Sequence, residues 1–303
     1  SKIISITGSC GKTSLKELTG RSLSKISQVT YSPQSFNNKF GVPLSLFNLK
    51  KNDSFGIFEI GMDKKGEIDY LSKIIKPDVG VITNVSYAHI KNFKNLNQVA
   101  LAKSELINNI KDNGYLILNK DDKFYNLHKK IGLKRNLKIL SFSLRNKSAT
   151  TSLVSISKEK SKYKISININ KIQKYFYLNS FFENDLKNLL ATITIISIFK
   201  NIHELDKNIF YNHKTTNGRG DITKIRLFNK FFYLVDESYN SNPLALKSAL
   251  KNFDMINVNN AKKHLVLGDM LELGKYSKKL HIDIGKTINK TSLINVNVIG
   301  DHI

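Results

Sequence analysis

The residues with the clearest chemical potential lie near the start of the chain, in the segment Thr7-Gly8-Ser9-Cys10-Gly11-Lys12-Thr13. An isoleucine-rich run precedes this segment and a helical pattern follows from Ser14, so that backbone N–H groups and a helix N-terminus could together cradle a phosphate. Lys12 would neutralise the β- and γ-phosphates of a nucleoside triphosphate, and the Thr13 hydroxyl would ligate Mg²⁺. The strict Walker pattern requires a glycine where this chain has Ile6. The flanking strand and helix nevertheless favour a phosphate-binding loop for ATP, formed by Thr7, Gly8, Ser9, Cys10, Gly11, Lys12, Thr13 and Ser14.

Three further side chains of chemical interest follow predicted strands or lie on a predicted helix. Glu59 ends an apolar strand pattern, where an open α/β sheet places ligand groups and where a carboxylate can hold a metal ion. His89 comes shortly after another strand pattern, although a single histidine is more often a structural residue than a ligand. Lys103 lies on a helix predicted to start near Asn95, and taken alone it is one more solvent-exposed lysine. These residues therefore leave a structural interpretation open beside the metal-binding one.

Two strings in the last third of the chain concentrate polar side chains directly after predicted strands. One is Asp236-Glu237-Ser238-Tyr239-Asn240-Ser241-Asn242-Pro243, in which the proline suits a helix N-terminus. The other is Leu267-Gly268-Asp269-Met270-Leu271-Glu272-Leu273-Gly274. Each string could bind a ligand, and each could equally be a well-capped turn.

The elements that must position these residues follow an alternating pattern from Lys2 to about Leu144. Short, nearly continuous apolar runs alternate with helical stretches, which predicts an α/β domain with a mainly parallel sheet covered by helices. From Thr151 to Leu178 the apolar residues recur at every second position, which predicts a small antiparallel appendage with one solvent-exposed face. The predicted parallel strands are Ile3 to Ile6, Phe55 to Ile60, Val79 to Val85, Tyr115 to Leu118 and Ile139 to Phe142.

A second domain is predicted after the polar, glycine-containing stretch His213 to Gly220, which follows a helix at Asp185 to Phe199. We place the boundary so that residues 1–216 form a central ATP-binding domain and residues 217–303 form part of a Rossmann-like domain. The predicted elements of this second domain are strands at Thr223 to Leu227, Phe231 to Val235, His264 to Leu267 and Asn295 to Ile299, with helices near Leu244 to Phe253 and Lys278 to Lys290.

The net charge of +24 comes from 48 lysines and arginines against 24 acidic residues. Only five of the 48 are arginine, the residue favoured for reading phosphates and bases, and the lysines are scattered. Lysine, asparagine and isoleucine are abundant together, as A/T-rich codons would produce, so we expect no nucleic-acid partner. The longest apolar runs fall well short of the roughly 20 residues that span a bilayer, and Cys10 is the single cysteine. We therefore expect a monomeric cytoplasmic protein that neither contacts a membrane nor contains disulfides.

Taken together, these strings resemble the Mur ligase family. The segment Thr7–Ser14 resembles the phosphate loop of that family, which also lacks the first Walker glycine. Four further segments match in order and spacing: Asn37-Asn38-Lys39-Phe40-Gly41-Val42-Pro43-Leu44, Glu59-Ile60-Gly61-Met62, Thr83-Asn84 to Ala88-His89, and Ala102-Lys103-Ser104-Glu105. The strings at Asp236 and Leu267 resemble those of the members that add D-alanyl-D-alanine.

The resemblance implies ATP-dependent formation of an amide bond for peptidoglycan precursor synthesis. In such a reaction D-alanyl-D-alanine is joined to UDP-N-acetylmuramoyl-tripeptide through an acyl phosphate, with ATP and Mg²⁺ as cofactors. Thr13 and Glu59 would hold one Mg²⁺, and His89 with a carbamylated Lys103 would hold a second. Arg219 would approach the ATP phosphates, and further nucleotide contacts would come from Asn188, Asp236, Tyr239 and Asn240. The catalytic residues implied are Lys12, His89 and Lys103.

The chain departs from the family in several respects. Phe182 and Asn184 stand where a glycine and a histidine are usual, and Glu237 stands in place of a second aspartate. The family's N-terminal UDP-binding domain has no counterpart here and the C-terminal domain is partial, so we expect a chain truncated at both ends and inactive by itself. The alternatives are another amide ligase of the superfamily, such as a folylpolyglutamate synthase, or a P-loop protein that binds nucleic acid.

Overall fold

The computed structural model describes residues 1–213, 218–256, 262–293 and 295–303. Contacts between backbone segments divide the chain into two units. The first comprises Ser1–Val85 and Leu96–His213, and the second comprises Ser86–Asn95 with the described part of Lys214–Ile303. The boundary predicted between residues 216 and 217 lies outside the described residues.

The first unit is an α/β domain built on one nine-stranded sheet. Its strands are β1 (Lys2–Thr7), β2 (Val29–Tyr31), β3 (Phe55–Glu59), β4 (Val79–Ile82), β5 (Tyr115–Asn119), β6 (Lys138–Ser143), β7 (Thr151–Glu159), β8 (Lys162–Ile169) and β9 (Ile172–Leu178). They lie in the order β2-β3-β1-β4-β5-β6-β7-β8-β9. Neighbours from β2 to β7 pair in parallel, and β7, β8 and β9 pair in antiparallel fashion.

Helices cover this sheet, as the alternating pattern predicted. They are α1 (Lys12–Ser24), α2 (Gly41–Phe47), α3 (Glu67–Ile75), α4 (Leu96–Asn108), α5 (Tyr125–Lys134) and α6 (Glu183–Phe199). The middle of α6 is buried on nearly every side, and the Thr192 hydroxyl lies 3.0 Å from that of Thr19 on α1. Together with Ile4, Ile6 and the inward side chains of β8, helices α1 and α6 form the main hydrophobic core cluster of the unit.

The predicted parallel sheet is confirmed, with three differences. The short strand β2 was missed, because three residues carry too little of a pattern to be recognised. The strand predicted to reach Val85 ends at Ile82, so Thr83 and Asn84 lie in a loop. The antiparallel strands are not a separate appendage, because β7 pairs in parallel with β6 over Phe142–Ser143 and continues the same sheet.

The second unit contains two small sheets among its described residues. An antiparallel hairpin joins β10 (Asp221–Leu227) to β11 (Lys230–Asp236), and a parallel pair joins β12 (His264–Gly268) to β13 (Asn295–Ile299). Helix α7 (Pro243–Met255) connects β11 to β12, and α8 (Ser277–Ile288) lies between β12 and β13 in the chain. The Asn242 side chain caps α7 by accepting a hydrogen bond of 3.1 Å from the Ala245 backbone N–H, with Pro243 at the first helical position. The β/α/β order predicted for this region is confirmed, except that it begins with a hairpin.

None of the helices in the described parts of the chain combines the length and the apolar character needed to cross a membrane.

Parallel pairing of β1 with β4 brings Gly8 against Thr83, because each residue directly follows its strand. The Thr83 backbone N–H donates to the Thr7 carbonyl at 3.0 Å, and a Cβ atom on Gly8 would lie 1.9 Å from Thr83 Oγ1. Gly8 also has a φ of +149°, which L-residues with side chains rarely adopt. A glycine is therefore required at this position by both space and backbone conformation.

We predict that Gly8→Ala lowers the free energy of unfolding by about 2–4 kcal/mol, since overpacking adds to backbone strain. Gly66→Ala is the matched control, because Gly66 has a φ of +91° but a Cβ there would meet no atom within 4 Å. We expect the control to lose only about 1–2 kcal/mol. Urea denaturation measures both losses of unfolding free energy. Equal losses would contradict the prediction that the contact of the new Cβ with Thr83 adds to the backbone strain.

Candidate functional site

The predicted phosphate loop is hydrogen-bonded to the segment that follows β4. Gly11 has a φ of +80° and ends the loop at the N-terminus of α1. Asn84 accepts hydrogen bonds from two loop N–H groups, from Ser9 through its carbonyl at 3.0 Å and from Cys10 through its Oδ1 at 2.9 Å. The Thr83 hydroxyl donates to the Cys10 carbonyl at 2.7 Å. Sequence reasoning did not assign Thr83 and Asn84 to the site, although their position directly after a strand was the available signal.

Thr13 and Glu59, the two residues predicted to hold a metal ion, are in direct contact. The Thr13 hydroxyl donates to Glu59 Oε2 at 2.8 Å, and Glu59 is only 1% exposed. Asn37 donates its side-chain N–H to the other carboxylate oxygen, Oε1, at 2.7 Å, and Ser35 Oγ lies 3.2 Å from Thr13 Oγ1. A buried carboxylate beside a hydroxyl is a set of hard oxygen donors, which suits Mg²⁺. Ser35 and Asn37 are further site residues that sequence reasoning did not assign.

Lys103 is buried on α4 in the same unit, with 2% of its surface exposed. Burial, and to a smaller extent the positive charge of Lys12, lower the pKa of its ammonium group to about 7. The charges of Cys10 and Asp122 act in the opposite direction. The interpretation of Lys103 as a solvent-exposed lysine is therefore wrong. Near pH 7, Lys103 is therefore a neutral amine in a substantial fraction of the molecules. The neutral amine is the form that acts as a nucleophile.

Lys12 and Asn188 lie at the same phosphate loop within the first unit. Lys12 Nζ donates to the Gly8 carbonyl at 3.1 Å, so its ammonium group lies back over the loop. Asn188 is buried on α6, and its Oδ1 lies 3.4 Å from where a Cβ on Gly11 would stand. The structure thus brings both residues, which the sequence placed 176 positions apart, to the same loop.

The nucleotide-binding residues predicted in the second unit form their own cluster. The Arg219 guanidinium lies over the Tyr239 ring, 4.2 Å from its centroid, as a cation–π pair. The Tyr239 backbone N–H donates to the Gly218 carbonyl at 3.2 Å, which fixes the two turns against each other. The result is a basic and aromatic surface built from two separate strings of the sequence.

Asp236 and Asn240 flank this pair. The Ser238 hydroxyl and backbone N–H donate to the Asp236 carboxylate and lower its pKa, so this group is an anion at neutral pH. Asn240 is exposed, directly beyond Tyr239. This string combines an anion, an aromatic ring and an amide on one turn, which could together recognise polar groups of a nucleoside.

His89 belongs to the second unit by its contacts, whereas Glu59 and Lys103 belong to the first. His89 has a φ of +58°, and its Nδ1 lies in contact with a carboxylate oxygen of Glu272. The Lys91 backbone N–H donates to the Glu272 carbonyl at 3.0 Å, and the Tyr276 hydroxyl donates to the Lys94 carbonyl at 2.8 Å. The string around Glu272 therefore binds the segment that carries His89. The metal-binding role of His89 stays a prediction.

We predict that Lys103→Met stabilises the protein at neutral pH, because the buried ammonium group costs free energy. The folded-state pKa of about 7 lies below the ordinary lysine value of 10.5, so the unfolded chain binds more protons between these limits. The destabilisation by Lys103 is complete below about pH 7 and disappears as the pH rises towards 10.5. In CO₂-free buffer the variant should be more stable than the wild type at pH 6.5, on the order of a few kcal/mol, with a gap that narrows by pH 9.5. Lys51→Met, at an exposed lysine, controls for charge loss; a gap independent of pH would contradict the prediction.

Comparison with known proteins extends these observations to the whole chain. The chain is 34% identical over 299 residues to the UDP-N-acetylmuramoyl-tripeptide–D-alanyl-D-alanine ligase of Buchnera aphidicola subsp. Baizongia pistaciae (strain Bp). The aligned region covers 98% of this chain and 63% of that protein. Its structure is similar to that of MurF from Acinetobacter baumannii, with a TM-score of 0.88 at 26% identity over 99% of this chain and 64% of that one. The MurF ligase from Thermotoga maritima in complex with ADP gives a TM-score of 0.85 at 26% identity over 99% and 66%.

The chain thus spans under two thirds of the length of these relatives. Because the matches run along almost the whole of this chain, they do not by themselves support the expectation of truncation. A family model described as the Mur ligase middle domain matches residues 6–196, which is more than half of the 303 residues. The loop of Thr7 to Ser14, Glu59, Lys103 and Asn188 all lie within that match, and the chain belongs to the Mur ligase family.

Proposed function

We propose that this chain is the catalytic part of an ATP-dependent ligase that joins D-alanyl-D-alanine to UDP-N-acetylmuramoyl-tripeptide and releases ADP. The observation that carries the proposal is the contact of Thr13 with buried Glu59 beside a phosphate-type loop. Its support from outside the site is the 34% identity to a relative that bears this enzyme's name.

The chemistry that the site must perform is the activation of a carboxylate. A carboxylate is a poor electrophile until one oxygen becomes part of a good leaving group, and a phosphoryl group from ATP supplies that group as an acyl phosphate. Phosphoryl transfer depends mainly on positioning and charge neutralisation. Lys12 and the N-terminus of α1, which begins at this residue, would meet that need at the phosphates. Mg²⁺, held by Thr13 and Glu59, would contribute further positive charge there when bound.

Lys103 is proposed to be carbamylated. A neutral amine attacks CO₂ to form a carbamate and releases a proton, and a pKa of about 7 makes the neutral amine available. The carbamate is an anion, so a group that would repel a metal ion becomes one that attracts it. With His89 it would hold a second metal ion, and the Glu272 carboxylate would orient the His89 ring through Nδ1.

The residues of the second unit are proposed to complete the nucleotide site. Arg219, stacked on Tyr239, would approach the ATP phosphates, and Asp236, Tyr239 and Asn240 would contact the ribose and adenine. Asn188 would contact the nucleotide from above the loop.

The proposed partners are the two small substrates, without nucleic acid or membrane, and the proposed state is a cytoplasmic monomer. Of the two alternatives, a folylpolyglutamate synthase is disfavoured by the string at Asp236 and by the identity to tripeptide ligases. A nucleic-acid-binding protein is disfavoured because its only support is a scattered excess of lysine.

We predict that the complete encoded protein releases phosphate from ATP only when both UDP-N-acetylmuramoyl-tripeptide and D-alanyl-D-alanine are present. A coupled phosphate assay, with each substrate omitted in turn, measures this requirement. Turnover with L-alanine or L-glutamate in place of the dipeptide would contradict the assignment. DNA binding with a steep dependence on salt concentration would favour the nucleic-acid alternative.

We also predict that Glu59→Gln weakens the Mg²⁺-dependent part of ADP binding by at least about tenfold, because the amide keeps the shape but loses the charge. Isothermal titration of the chain with ADP at a series of Mg²⁺ concentrations measures the effect. Glu204→Gln, at an exposed carboxylate of the same unit, is the matched control and should bind like the wild type. Equal Mg²⁺ dependence in both variants would remove Glu59 from the proposed metal site.

A further inference from the structure

The proposed Mg²⁺ residues are contacted by an irregular segment, Ser32–Asn37, that connects β2 to α2. Its members reach the site at three points. Ser35 Oγ lies 3.2 Å from Thr13 Oγ1, and the Asn37 side chain donates to Glu59 Oε1 at 2.7 Å. The Ser32 hydroxyl accepts a hydrogen bond of 3.3 Å from the Glu59 backbone N–H. The orientation of the Glu59 carboxylate therefore depends on where this segment lies.

Lys16 is hydrogen-bonded to the backbone of this segment. It lies on α1, one turn after Lys12, and its side chain is 0% exposed. Its ammonium group donates to the Ser32 carbonyl at 2.6 Å and to the Gln34 carbonyl at 2.5 Å, and it forms an ion pair of 3.0 Å with Glu17. An ammonium group has three N–H donors, so these three acceptors satisfy it completely.

The backbone that Lys16 binds includes a strained residue. Gln34 has a φ of +43°, a left-handed conformation that is strained for a residue with a side chain. The segment lies outside the helices and strands, and backbone hydrogen bonds hold its two ends. The Ser32 N–H donates to the Ile57 carbonyl at 3.0 Å, and the Asn37 carbonyl accepts from the Gly61 N–H at 2.8 Å. A charge-assisted hydrogen bond to the carbonyl of the strained residue stabilises this conformation.

We propose that Lys16 is a positioning residue for the metal site, acting through Ser32–Asn37 on Glu59 and Thr13. The inference rests on the proposed function, because it concerns the residues that would hold Mg²⁺. Lys16 donates to the segment, the segment donates through Asn37 to Glu59, and Glu59 keeps one carboxylate orientation. A buried lysine that served the fold alone would have no reason to alter metal binding.

The test compares Lys16→Met with Lys25→Met by titrating each chain with ADP at a series of Mg²⁺ concentrations. Lys25 is a matched control, because it follows the same helix and donates to a carbonyl outside Ser32–Asn37, that of Ile209 at 2.5 Å. We expect Lys16→Met to raise the Mg²⁺ concentration for half-maximal ADP binding by about tenfold, the usual effect of removing an outer partner of a metal ligand. ADP binding without Mg²⁺ should be unchanged. Lys25→Met should lower the melting temperature and leave the Mg²⁺ dependence unchanged.

Asn37→Ala separates positioning from a general loss of stability. If Lys16 acts through Asn37, this variant should show the same shift in Mg²⁺ dependence, and the double variant should be no worse than either single one. Multiplying effects in the double variant would overturn the inference, as would an unchanged Mg²⁺ dependence in Lys16→Met. Should Lys16→Met fail to fold, Asn37→Ala decides, and an unchanged Mg²⁺ dependence there overturns the inference. A wild-type chain whose ADP binding ignores Mg²⁺ would instead contradict the proposed metal site itself.

Discussion

Parallel pairing of β1 with β3 on one side and with β4 on the other is the constraint on which the first unit's site depends. Because parallel strands end at the same edge of a sheet, the residues that follow these three strands must meet. The loop of Thr7 to Ser14 follows β1, Glu59 ends β3, and Thr83 with Asn84 follows β4. Gly8 lies where two of these segments approach most closely, so the absence of its side chain is a condition for the edge to close.

Two buried lysines of the first unit, Lys16 and Lys103, differ in the partners of their ammonium groups. Lys16 has an acceptor for each of its three donors, including a carboxylate, so its burial is compensated and it can hold a strained backbone. Lys103 is buried beside the positive charge of Lys12, and its pKa falls to about 7. A buried cation without a compensating partner costs stability, which is consistent with the role proposed for Lys103.

In the second unit, turns bring residues that are distant in sequence into contact. Arg219 and Tyr239 come from strings 20 residues apart, and the hairpin of β10 and β11 between them returns the chain so that the two side chains stack. Glu272 holds the His89 segment through both its carboxylate and its carbonyl. The strings at Asp236 and Leu267 thus contact Arg219 and His89, respectively, and their role in ligand binding stays a prediction.

Local pattern was sufficient for much of this protein. The alternation of apolar runs with helices predicted the parallel sheet, and the order of short motifs identified the family. The same motifs nominated Lys12, Thr13, Glu59 and Lys103 as site residues. These features depend on neighbours within a few residues, so they can be read along the chain. Only the tertiary structure decided that Lys103 is buried, that the antiparallel strands extend the main sheet, and that Ser35, Asn37, Thr83 and Asn84 surround the loop. Burial and hydrogen bonding between segments 20 to 90 residues apart depend on which strands become neighbours, and strand order leaves no local signal.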